Sequence, residues 1–89
     1  MTAAGGNFAD KPPEAEGLTD YDHQHLATYL RLLDAYAEGA QWEEVARVVF
    51  GLDPVRERER ARRVHDSHLA RARWMSEHGY AELLNAARH

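Results

Sequence analysis

Two imidazoles one helical turn apart, His65 and His68, stand with Asp66 between them. Positions i and i+3 share a helix face, and imidazole with carboxylate is part of a zinc ligand set. No third ligand stands at a metal-site spacing, so the pair reads as packed or surface histidines and no metal is expected. His23 and His25, at i and i+2, point to different faces. Covalent catalysis has little to draw on: there is no cysteine, Ser67 and Ser76 are the only serines, and no glycine frames a nucleophile. A phosphate loop, a dinucleotide fingerprint and an HExxH motif are also absent. These absences predict a non-enzyme with no cofactor and no small-molecule ligand.

The arginines carry the better-defined chemistry. Arg56, Arg58, Arg60, Arg62 and Arg63 crowd one short run, and their planar guanidinium forks suit phosphate oxygens. The same run contains Glu57 and Glu59. Glu57 is placed to pair with Arg60 at i+3, and Glu59 with Arg63 at i+4. Such pairs neutralise part of the charge, so the run reads equally as a solvated helix face.

Charge is divided along the chain. Residues 1–53 carry ten acids against Lys11, Arg31 and Arg47, a balance of −7; residues 54–89 carry eight arginines against five acids, a balance of +3. Nucleic-acid binders of this size are usually basic overall, because phosphate contacts dominate affinity. Here the net charge is −4. Asp20, Asp22, Asp34, Glu38, Glu43 and Glu44 form a candidate partner-binding face, with solvated surface as the competing reading.

Helices must position these groups, and an all-α fold of four to five helices is expected. Residues 1–17, rich in Gly, Pro, Ala and acids, have Phe8 as the one large apolar group. That composition predicts a disordered acidic tail before a domain over 18–89. Thr19 or Asp20 suits a helix cap, and Leu26, Tyr29, Leu30, Leu33 and Ala37 trace an apolar stripe ending at Gly39. Trp42, Val45, Ala46 and Val49 repeat the spacing in a second helix, with Trp42 as a core anchor. Gly51 stops it, while Asp53 and Pro54 suit the start of the next helix. This helix, four-residue turn and helix give the outline of a helix-turn-helix core. The long element from Val55 to His78 runs continuously or breaks near Asp66-Ser67, since both residues favour caps. Tyr80, Leu83, Leu84 and Ala87 make a last short stripe. Eighty-nine residues suit one domain. With no membrane-spanning run and no signal-peptide pattern, a cytoplasmic location is the expectation.

The motifs L-T-x-Y-D at Leu18–Asp22, W-x-x-V-A at Trp42–Ala46 and D-P at Asp53-Pro54 resemble a proteobacterial helix-turn-helix-variant family. So do R-A-R at Arg60–Arg62, H-L-A-R-A-R-W-M at His68–Met75 and G-Y-x-x-L-L at Gly79–Leu84. The resemblance spans about residues 18–85. It implies a place among regulators of integrative and conjugative elements, which include transcriptional activators and small stand-alone antiactivators. An antiactivator would bind an activator protein: a LuxR-type quorum-sensing regulator or a relative bearing the same domain. Excision and transfer of the mobile element would then be repressed. The acidic balance favours that role, with weak or absent DNA binding. The alternative is direct DNA binding through Arg56, Arg58, Arg60, Arg62 and Arg63.

Overall fold

A computed structural model describes residues 8–87, and all regular structure among them is helical. Five helices follow in order: α1 Asp20–Gln24, α2 Leu26–Ala37, α3 Trp42–Phe50, α4 Arg58–Glu77 and α5 Ala81–Ala86. α2, α3 and α4 pack on one another, and α5 closes against α2 and α4. Tyr29, Leu32, Val49, Phe50, Val64, Met75 and Leu84 form the buried centre.

The first helix starts where Thr19 caps it. Thr19 Oγ1 accepts from the Asp22 N–H, and Asp22 Oδ2 accepts from the Thr19 N–H, a reciprocal capping box. The run expected as one helix to Gly39 is divided at His25, whose backbone leaves helical geometry (φ −121, ψ 24). The His25 ring there lies against Tyr21 and Phe8, with centroids 4.3 and 4.8 Å apart. In α2, Leu32 is fully buried and Leu33 only partly. The helix meets α3, α4 and α5 together, so its buried stripe is wider than one 3.6-residue ridge.

α3 ends at Gly51 in the left-handed conformation (φ 67). The Leu52 N–H reaches the Ala46 carbonyl at 3.2 Å, which satisfies a terminal acceptor as a Schellman closure does. Asp53 Oδ1 then accepts from the N–H groups of Val55 and Arg56 at 2.9 and 3.2 Å. A turn over residues 54–57 delays the helical start to Arg58, three residues beyond Val55. α4 runs unbroken through Asp66-Ser67. The Asp66 carboxylate is held by Arg62 and His65 rather than by backbone N–H groups, and Ser67 Oγ lies 3.3 Å from the Val64 carbonyl, so neither side chain caps a new helix.

Residues 8–17, which composition assigns to a disordered tail, are instead laid along α4 as a strap. Phe8 sits edge-on to Phe50 with centroids 4.7 Å apart and also meets His68. Pro12 is buried. Arg71 donates to the carbonyls of Ala15 and Gly17 at 2.6 and 2.9 Å. Composition counts apolar groups, whereas this segment is held by one ring, a buried proline, its backbone carbonyls and the Asp10 carboxylate. The remainder of the expected tail, residues 1–7, lies outside the described residues.

Candidate macromolecule-binding surfaces

The arginine run occupies the exposed start of α4 and the turn before it. Arg58 and Arg62, one turn apart, lie over the Trp42 ring, 5.2 and 4.8 Å from its centroid. Trp42 is therefore half-buried beside α4 and not the core anchor its spacing predicts. Arg62 Nε donates to Asp66 at 2.9 Å, and Arg58 stands 3.9 Å from Glu43. Burial works to raise the Asp66 carboxyl, but hydrogen bonds from His65 and Arg62 more than offset it and hold it low.

Arg60 and Arg63 point to the strap. Arg60 Nε donates to Asp10 Oδ1 at 3.1 Å and Arg63 Nη2 to Asp10 Oδ2 at 3.0 Å. These two bonds, Arg63 first, hold the Asp10 carboxyl below its ordinary range. Arg60 also pairs with Glu57 at 3.4 Å, as its i+3 spacing predicts. The Glu59–Arg63 pair expected at i+4 is replaced by Asp10–Arg63, because the strap delivers a carboxylate that bridges both arginines. Among the described residues, Arg56 is the member of the run with no ion pair; its side chain is exposed.

The acidic residues are divided. Asp34, Glu38 and Glu44 line one groove of about 310 Å³ between α2 and α3, over a floor that includes Val45, Val48 and Val49. Val48 is 51% exposed there. Arg31 also lines the groove, and Glu44 pairs with Arg47 at 3.0 Å. Glu43 faces Arg58 instead, and Asp20 lies exposed in the first turn of α1, away from the groove lining.

Asp22 is no part of any docking face. It is fully buried. Arg71 grips it in a two-pronged pair, Nε to Oδ1 at 3.1 Å and Nη2 to Oδ2 at 2.6 Å. Tyr29 adds a hydroxyl donor at 2.8 Å. Burial alone would raise this carboxyl; the bonds from Arg71, Thr19 and Tyr29 outweigh it and bring it down to about 2. Burial first, then the bond to Asp22, pushes the Tyr29 hydroxyl well above its ordinary value.

The histidine pair is used for packing. His65 Nδ1 meets Asp66 at 2.8 Å. His68 Nδ1 lies 2.7 Å from the Val64 carbonyl, so its N–H points there, and Nε2 accepts from the Tyr21 hydroxyl at 2.6 Å. The same hydroxyl accepts from the Ala9 N–H at 3.0 Å. No group of three or more potential metal ligands gathers among the described residues, and no described helix is long and apolar enough to cross a membrane.

The family model for the DNA-binding domain of a T6SS transcription factor, RovC_DNA-bd, matches residues 2–85. The chain belongs to that family. No curated protein matches the chain. Membership in the RovC DNA-binding domain family agrees with the outline of α3, a connection over residues 51–57 and α4. That connection is longer than the four-residue turn expected, because residues 54–57 form a turn before α4 begins. Asp10, Phe8 and Arg71 are the residues of these surfaces that spacing did not single out. The pairs Phe8–Phe50, Arg71–Asp22 and Arg63–Asp10 join positions 42, 49 and 53 residues apart, and the one available signal was Phe8 as a lone large apolar group in a polar segment.

Proposed function

We propose that this chain regulates transcription by docking on a protein, as a stand-alone antiactivator of the QseM type, and contacts DNA weakly or not at all. The observation that carries this reading is the condition of the arginines. Four of the five guanidiniums suited to phosphate already face carboxylates of the same chain: Arg58 with Glu43, Arg60 and Arg63 with Asp10, Arg62 with Asp66. Phosphate would have to displace those partners, and the net charge of −4 works against approach to DNA. The groove between α2 and α3 offers a protein-like contact instead, an apolar floor with acids at its rim. A basic activator surface is its complement, and opposite charge speeds such an encounter. The resemblance to conjugative-element regulators suggests which activators: a LuxR-type quorum-sensing regulator or a relative bearing the same domain. Binding would repress excision and transfer of the element, without catalysis, cofactor or small-molecule ligand.

The test is affinity for a purified activator of either kind, with Asp34→Lys/Glu38→Lys beside the unaltered protein. The double variant should bind at least about tenfold more weakly, with a thermal midpoint measured to check that it folds. Unchanged affinity in a folded double variant would remove this face. The second reading, direct DNA binding led by the exposed Arg56, is favoured by the family to which the chain belongs. A titration with double-stranded DNA at about 50 mM salt gives that reading its best conditions. Micromolar binding that weakens steeply with salt would make it the function.

A further inference from the structure

The Asp10 contact resembles what a phosphodiester would make at the same place. Arg60 and Arg63 stand three residues apart on α4, about 4.5 Å along its axis. One small anion with two oxygens spans that gap, and here the anion is a side chain of the same protein. Its two oxygens are shared, one to each guanidinium, at 3.1 and 3.0 Å. All three side chains are close to half exposed, so the site opens to solvent. The strap that carries Asp10 is anchored on either side of it. Phe8 is wedged against Phe50, Ser67 Oγ lies 3.1 Å from the Asp10 carbonyl, and Pro12 is buried. Rotation of the Asp10 side chain alone would free both guanidiniums while those anchors stay in place.

We propose that Arg60 and Arg63 form a latent phosphodiester site on α4, and that Asp10 masks it by occupying it. This rests on the weak DNA contact proposed above and supplies its physical cause. The fold keeps a phosphate grip suited to its DNA-binding family, and the strap closes it with the chain's own carboxylate. Glu57, 3.4 Å from Arg60, screens one guanidinium further; Asp10 is the group that engages both.

The experiment is a low-salt titration of the full chain with double-stranded DNA, comparing the unaltered protein, Asp10→Asn and Asp10→Ala. Each variant removes the carboxylate but keeps the backbone and the Phe8 anchor, and a thermal midpoint checks folding. Both should bind at least about tenfold tighter, with a salt slope steeper by about one unit for the phosphate newly engaged. Adding Arg60→Gln/Arg63→Gln to Asp10→Asn should abolish the gain. Glu82→Gln, which makes the same change in net charge elsewhere, should produce none.

Folded Asp10 variants that bind no tighter than a weakly binding parent would overturn the mask and leave the protein-docking reading intact. Equal, micromolar binding by parent and variants would overturn both. A gain that survives loss of the two arginines, or that Glu82→Gln reproduces, would assign the effect to net charge and overturn the site.

Discussion

Among single residues, Arg71 joins three segments of the chain. It is 7% exposed and ties α4 to Asp22 and to the strap carbonyls of Ala15 and Gly17. A buried pair costs desolvation to form, so its net gain is small; removing one member is costly because the other charge is left buried and unpaired. Arg71→Ala is therefore expected to lose about 3–5 kcal/mol, read from urea unfolding, and a loss under about 1 kcal/mol would refute the pairing. The same residue scale fixes the pH response. Burial keeps His68 and His25 below their ordinary value, so the unfolded chain takes up protons that the folded one refuses. Stability should fall as pH drops below about 6.5. Asp22, held at about 2 in the fold, adds a second decline as pH falls from about 4 toward 2. Together its shift is worth about 2 kcal/mol. Thermal midpoints measured from pH 7.5 to 2.5 test both; a flat profile between 7 and 5 would remove the histidine contribution.

At the scale of elements, the turn between α3 and α4 decides the geometry of the helix-turn-helix outline. Gly51 turns the chain in the left-handed region, where a side chain brings Cβ against the following carbonyl. Gly51→Ala should cost about 1 kcal/mol, visible as a lower thermal midpoint, and an unchanged midpoint would mean that the closure is not strained by a side chain. α4 shows the limit of reading caps from residue type. Asp66 and Ser67 favour caps in isolation, yet inside α4 the carboxylate is engaged by Arg62 and His65 and the hydroxyl faces the preceding turn. Trp42 shows the limit of reading burial from spacing. Its position on the α3 stripe is right, but two arginines of α4 cover it in place of apolar side chains.

Across the whole molecule, charge is arranged by folding rather than by composition. The acidic first 53 residues fold back on the basic remainder, so Asp10, Asp22 and Glu43 meet Arg60, Arg63, Arg71 and Arg58. Much of the positive balance of the second half is thereby consumed within the chain. Asp34, Glu38 and Glu44 line the α2/α3 groove together, with Glu44 paired to Arg47. A partner guided by that field would be affected first in its approach, because rim charges act mainly on association rate. The Asp34→Lys/Glu38→Lys variant should therefore lose more in association than it gains in dissociation, with a reduced salt dependence.

The sequence by itself determined the helical class, the order of the main helices and the helix-turn-helix outline. Those features rest on 3.6-residue apolar spacing, on Thr19 as a cap and on Gly51 as a stop, all signals confined to a few neighbouring positions; Asp53 closes the turn before α4 rather than capping the helix itself. The motifs that carry the family resemblance are likewise short and local. Only the tertiary structure decided which charges are available. Asp22 and Asp34 look alike in the sequence, as do Arg56 and Arg63. One aspartate is buried under Arg71 and the other lines a groove; both arginines are exposed, but only Arg63 is held by Asp10. The pairs that separate them join positions 49 to 53 residues apart. Such contacts exist because burying the common core brings the strap, α1 and α4 together, and periodicity within one segment carries no trace of its distant partner.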